Sequence, residues 1–268
     1  MSIDIVVSQG RIADKTAMTI EGAARTARAL AQRTGATPTV VGTPSPPAID
    51  DWRESLPQAR ETLAGLAKAL DAAIARGGLT LLASNTCSAS LASLPVVARR
   101  HPDAVLLWVD AHGDFNTPET TETGYLGGMV VAAACGLWDS GHGAGLRPQQ
   151  VIMVGARDID PPEAELLKTA GVRVIPPAEV SPEAVLAAVG DAPVWVHVDW
   201  DVLEPGYVPA DYDVPGGLLP TQIRAILAAF PKDRVLGVEL AEFNVPADEA
   251  KAEAALATVL DTVSPLLD

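Results

Sequence analysis

Short apolar runs recur along the chain, each closed by polar or turn-forming residues. They are Ile3 to Val7, Thr39 to Val41, Thr80 to Ala83, Val105 to Val109, Val151 to Val154, Val172 to Ile175, Val194 to Val198 and Val235 to Leu240. Their length and β-branched content predict strands. Longer alanine- and leucine-rich stretches lie between them and predict helices. These are Glu21 to Arg33, Trp52 to Arg76, a segment ending at Arg100, Gly127 to Cys135, Pro161 to Thr169, Pro182 to Val189, Thr221 to Ala229 and Ala247 to Leu267. Pro57 predicts a break in the second helix, and Gly77-Gly78 its end. Runs that are apolar on both faces and alternate with helices predict a parallel sheet covered on both sides. The expected fold class is α/β: a three-layer αβα arrangement around a central, mainly parallel sheet of about eight strands. A barrel is the alternative. One domain over residues 1–268 is expected.

The ends of these runs carry the polar signal. Val105 to Val109 is followed by Asp110-Ala111-His112-Gly113-Asp114, and Val194 to Val198 by Asp199-Trp200-Asp201. Side chains alternate in an extended segment, so Asp110, His112 and Asp114 are expected on one face, and Asp199 and Asp201 likewise. Oxygen donors with one imidazole suit Mn²⁺, or Mg²⁺ less well, over a thiolate-type zinc site. The carboxylates outnumber what one ion with open positions needs. Two divalent ions with shared carboxylates fit them better. Asp160 and Glu242 also fall at strand ends, where α/β folds bind ligands.

Composition narrows the partners. The net charge is −15 at pH 7, which argues against nucleic acid and anionic membrane. Hydrophobic residues make up 48% of the chain, enough for a large core, and no run is long enough to span a bilayer. Two cysteines, Cys87 and Cys135, give no disulfide framework, so a reducing cytoplasm is the expected compartment.

Three motifs resemble the arginase/agmatinase family of binuclear manganese ureohydrolases. They are Asp110-Ala111-His112-Gly113-Asp114, Asp199-Trp200-Asp201-Val202-Leu203-Glu204-Pro205 and Glu239-Leu240-Ala241-Glu242-Phe243-Asn244, in family order and at family spacing. The resemblance implies that two Mn²⁺ ions are bridged by Asp110 and Asp199. It implies that Asp114 binds the first ion and His112 and Asp201 the second, with Glu242 facing the guanidinium end of the substrate. Asn116 and Thr123 would hold the α-carboxylate, and Asp160 the α-amino group, of a small guanidino amino acid. Asp160 also precedes Pro161, where a helix N-cap is equally expected.

Two departures from the family pattern bear on the substrate. Ser84-Asn85-Thr86-Cys87-Ser88 places Cys87 where the family has a metal-binding histidine, and a thiolate beside cations is a competent ligand. Gly127 stands where arginases carry a proton-shuttling histidine. An N-hydroxyguanidine is less basic than a guanidine and needs less proton help. The chain is therefore similar to the branch of the family that cleaves Nω-hydroxy-L-arginine to hydroxyurea and L-ornithine in antibiotic biosynthesis. The implied mechanism is attack of a metal-bridging hydroxide, with Asp114 as base. Ordinary arginase activity, another guanidino-acid hydrolase, and a non-catalytic binder of metal or amino acid are the alternatives. A monomer is expected, because trimeric arginases extend well past the last helix.

Overall fold

A computed structural model describes residues 2–267. Met1 and Asp268, the ends of the expected domain, lie outside the described residues. The apolar runs become β1 (Ile3–Ser8), β2 (Thr39–Val41), β3 (Leu79–Ala83), β4 (Val105–Val109), β5 (Val151–Val154), β6 (Arg173–Ile175), β7 (Val194–Asp199) and β8 (Val235–Ala241). They form one sheet in the order β2-β1-β3-β8-β7-β4-β5-β6. Every pairing is parallel. β2 and β6 are its two edges, so the sheet is open and the barrel alternative falls.

The helices are α1 (Met18–Thr34), α2 (Trp52–Ile74), α3 (Ser90–Arg100), α4 (Val130–Ala134), α5 (Pro161–Ala170), α6 (Pro182–Val189), α7 (Pro220–Ala229) and α8 (Glu249–Leu267). Alternate residues of each central strand serve opposite layers, as the pleat requires. Leu107 and Val109 of β4 pack in one core with Leu30 of α1, Val185 of α6, Ile223 of α7 and Val259 of α8. Leu106 and Trp108 pack in the other with Leu66 of α2, Leu94 of α3, Val131 of α4 and Leu167 of α5. Both faces of the sheet are thus dry, which is why the strands read as unbroken apolar runs. Among the described residues no helix is long and apolar enough to cross a membrane.

Two expected elements differ. α2 runs unbroken through Pro57, with Asp51 as its N-cap accepting from Arg53 N. Pro57 is the sixth residue of the helix, so one bond to the Arg53 carbonyl is lost while the long helix continues for about four further turns and carries the element. The helix expected over Gly127 to Cys135 opens as a 3-10 turn, Gly127–Met129, and is α-helical only over α4. Adjacent glycines at 127 and 128 explain the late start, because each favours the unfolded backbone.

Parallel strands share one C-terminal edge. β3, β8, β7 and β4 are neighbours in the middle of the sheet, so the segments that leave them meet above its centre.

Candidate metal centre and active site

The clustered acids do not reach one another by extended alternation. β4 ends at Val109, the chain bends at residues 110–112, and Asp114 has φ of 49°. β7 ends at Asp199, and Trp200–Val202 is a 3-10 turn. The first acid of each motif caps its own turn. Asp110 Oδ1 accepts from His112 N at 2.7 Å, and Asp199 Oδ1 from Asp201 N at 2.8 Å. Each turn returns the second acid to the same cavity. Among the described residues only two other than glycine have positive φ, Asp114 and Glu242 (65°). Both line the cavity, and backbone held in this region marks sites where geometry is imposed.

Three groups of donors converge there. His112 Nδ1 lies 3.4 Å from Asp110 Oδ1 and 3.1 Å from Asp201 Oδ2. Cys87 Sγ lies 3.1 Å from Asp199 Oδ2, and Cys87 N donates to Glu242 Oε1 at 2.9 Å. Cys87, Asp110 and His197 form the third group. Asp114, Asn116, Thr123 and Asp160 line the same cavity. Asn116 is buried and its Oδ1 has no partner. Thr123 sits at the rim, its Oγ1 accepting from Tyr125 N at 3.2 Å. Asp160 does occupy the N-cap position of α5, yet its side chain makes no capping bond and faces the cavity instead.

The electrostatics describe a site crowded with negative charge. Burial, then the neighbouring Asp201 carboxylate, pushes Asp199 well above the usual carboxylate range. Burial and Asp110 do the same to Asp114. Burial, with Asp110 next in weight, raises Asp201 to about 6. Glu242 rises to about 8, first through burial and then through Asp211. Burial alone would lower His112, but hydrogen bonds to Asp110 and Asp201 outweigh it and raise the imidazole to about 12. Without a cation in the site, the ring carries the positive charge that offsets these acids. Asp110 is held low despite burial, because His112 donates to it. Cys87 is pushed well up by burial and by Asp199. Asp110 Oδ2 is buried without any hydrogen-bond partner. Oxygen, nitrogen and sulfur donors around an orphaned carboxylate oxygen fit divalent cations.

Several residues in or beneath the cavity were given no role by the sequence. Tyr125 donates its hydroxyl to Glu242 Oε1 at 3.4 Å and lies 3.2 Å from Thr86 Oγ1. Its ring explains Gly127, since a Cβ there would lie 2.4 Å from Tyr125 Cε1. Glu163 accepts from Phe115 N at 2.7 Å and so steadies the loop behind Asp114. His197 and Glu239 hydrogen-bond each other beneath Cys87. A single histidine inside an apolar strand, two residues before Asp199 and on its face, was the available clue to that pair.

Comparison with known proteins agrees with this geometry. Residues 12–263 match the arginase family. The chain is 64% identical to the N(omega)-hydroxy-L-arginine amidinohydrolase of Streptomyces lavendulae, over 99% of this chain and 97% of that protein. It is 27% identical to the arginase of Bacillus caldovelox over 73% of this chain and 71% of that one. Among solved structures, Entamoeba histolytica arginase superposes with a TM-score of 0.87 at 19% identity, covering 99% of this chain and 97% of that chain. The structural likeness shows the same fold, and the family match over residues 12–263 with the 64% identity over nearly the whole chain shows that it belongs to the arginase family.

Proposed function

We propose that this chain, acting as one domain, hydrolyses Nω-hydroxy-L-arginine to hydroxyurea and L-ornithine at a centre of two manganese ions. The observation that carries the substrate is the similarity to the Streptomyces lavendulae amidinohydrolase over nearly the whole of both chains. The cavity supports it. Asp158, Asp160 and Asp211 stand at its mouth and suit a substrate with a positive α-amino group. In this reading Cys87 and Asp114 would hold one cation and His112 and Asp201 the other, with Asp110 and Asp199 available to both. Bound cations would lower the pKa of water and make it a nucleophile at neutral pH.

The chain's own groups do the rest. Asp114 orients the water and takes its proton. The water oxygen adds to the guanidino carbon, the bond from that carbon to the ornithine nitrogen breaks, and that nitrogen leaves with a proton. Glu242 faces the guanidino end, and Tyr125 and Cys87 N fix its carboxylate by donating to Oε1. Asn116, Thr123 and Asp160 hold the amino-acid end. A phenol at Tyr125 fills the space beside Gly127. The cavity therefore offers the departing amine no imidazole at that point, which favours the less basic hydroxyguanidine.

The deciding measurement is kcat/KM for Nω-hydroxy-L-arginine and L-arginine on enzyme with matched Mn²⁺ loading. Hydroxyarginine is expected to be faster by about 10²-fold or more, the scale of a positioned proton donor. Equal values, or a preference for arginine, would reject the reading.

A further inference from the structure

We propose that His197 is itself a ligand of the cation on the Cys87 side, with Glu239 as its orienting partner. The assignment rests on the two-cation reading above. It starts from a residue that the apolar run around it does not explain. His197 is fully buried in β7, between Val196 and Val198. A buried imidazole costs free energy unless both nitrogens are used.

One nitrogen is accounted for. Nδ1 lies 2.8 Å from Glu239 Oε2 on the neighbouring strand, where the two residues are register partners. Glu239 has no freedom of its own. Trp195 Nε1 donates to it at 2.7 Å, Ser90 Oγ at 2.5 Å, and Ser93 Oγ donates as well. A carboxylate so held accepts a hydrogen bond from Nδ1–H of His197, the tautomer that keeps the lone pair on Nε2. The ring plane is fixed too, because Trp108 stacks on it with centroids 3.6 Å apart and planes 7° from parallel. Carboxylate behind, lone pair in front and a clamped plane are what a ligating histidine requires.

The other nitrogen points at the centre. Nε2 lies 3.3 Å from Cys87 Sγ. The donor atoms of Cys87, Asp110 and His197 all lie within 4.8 Å of one another, so a single ion can touch all three. A second, independent observation calls for that ion. Asp110 Oδ2 is buried with no hydrogen-bond partner, and Asp110 belongs to the His112 group as well. A thiol–imidazole hydrogen bond alone would leave that oxygen unsatisfied. A cation held by sulfur, nitrogen and oxygen satisfies it. Each of the two cations then has one imidazole, His112 on one side and His197 on the other.

The test uses metal-free protein reloaded with Co²⁺, and substrate turnover enters nowhere. X-ray absorption on the two-cobalt wild type should count two imidazoles, and absorbance should show a thiolate-to-cobalt band from Cys87. His197→Phe keeps a ring against Trp108 and removes the nitrogen. Its cobalt should carry one imidazole, and the ion that gives the thiolate band should bind at least about tenfold more weakly. Glu239→Gln should weaken the same ion by roughly tenfold to a hundredfold, with the other ion unchanged. Two cobalt ions with one imidazole in wild type, or unchanged affinity in folded His197→Phe, would overturn the assignment. Should that variant not fold, the wild-type count still decides. Fewer than two cobalt ions in wild type would overturn the two-cation reading and this assignment with it.

Discussion

Glu163 is a buried acid beside the cavity that reports on pH without ligating anything in the proposed centre. Burial comes first among the causes that raise its carboxyl from the ordinary 4.5 to about 7, against the hydrogen bond from Phe115 N that lowers it. A carboxyl raised in the folded state contributes stability that is fully present below about 4.5. That contribution is lost as pH rises through about 7. Glu163→Gln stays neutral and keeps an acceptor for Phe115 N. In metal-free protein, urea unfolding at pH 5 and pH 8 should show the variant gaining on wild type as pH rises. The gain should be on the order of 3 kcal/mol at most. A stability difference that does not change with pH would mean that Glu163 is ionised in both states. At this scale the sequence was legible where side-chain type names its chemistry, as for Asp110, His112 and Asp199. It was silent on Glu163 and Tyr125, whose importance lies in what they touch across the fold.

Among the elements, the loop after β7 depends on one side chain that precedes α5. The Arg157 guanidinium donates to the carbonyls of Gly155, Asp201, Val202, Val214 and Pro215. It ties both ends of the 201–217 segment to the sheet edge, and that segment presents Asp211 and Tyr212 to the cavity. A rigid fork with five donors can serve this many acceptors, and an ammonium cannot. Arg157→Lys should therefore raise KM several-fold and speed proteolytic nicking within 204–217. An unchanged cleavage rate would show that the loop is held by other contacts. Strands and their polar ends were legible because both faces of the sheet are dry and water begins where the strands stop. The turns were not. Extended alternation was the expected device at Asp110 and Asp199, whereas each aspartate folds its own turn through a backbone N–H. Nothing in the local sequence separates those two ways of aligning a pair of acids.

Taken whole, the molecule concentrates part of its net charge of −15 above the middle of one sheet. In metal-free protein, burial and the neighbouring carboxylates raise Asp199 well above the usual carboxylate range and Asp201 to about 6, so these acids must give up protons to bind a cation. Cation binding should therefore stabilise the fold, by about 2.7 kcal/mol at a hundredfold excess over Kd, and more strongly at pH 8 than at pH 6. Thermal unfolding across a Mn²⁺ series measures this, and metal analysis should find close to two ions per chain. Asp199→Ala removes the carboxylate that accepts from Cys87 Sγ and should lose both ions together with the Mn²⁺-dependent rise in Tm. Retention of one tightly held ion would show that the two cations do not share Asp199.

The order of the strands has a kinetic side. β7 and β8 come last in the chain, yet they lie between β3 and β4 in the sheet. During synthesis the first two-thirds of the chain emerges as two separate halves of a sheet with a gap two strands wide. Neither half can close on the other until residues near 241 have left the ribosome. Folding must wait for contacts of long sequence separation, which places the chain among slow folders and leaves unpaired strand edges exposed meanwhile. The same interleaving governs when the site can form: Cys87 and Asp110 cannot meet Asp199 and Glu242 until residue 242 has been made, so no shorter nascent fragment can bring these four side chains together.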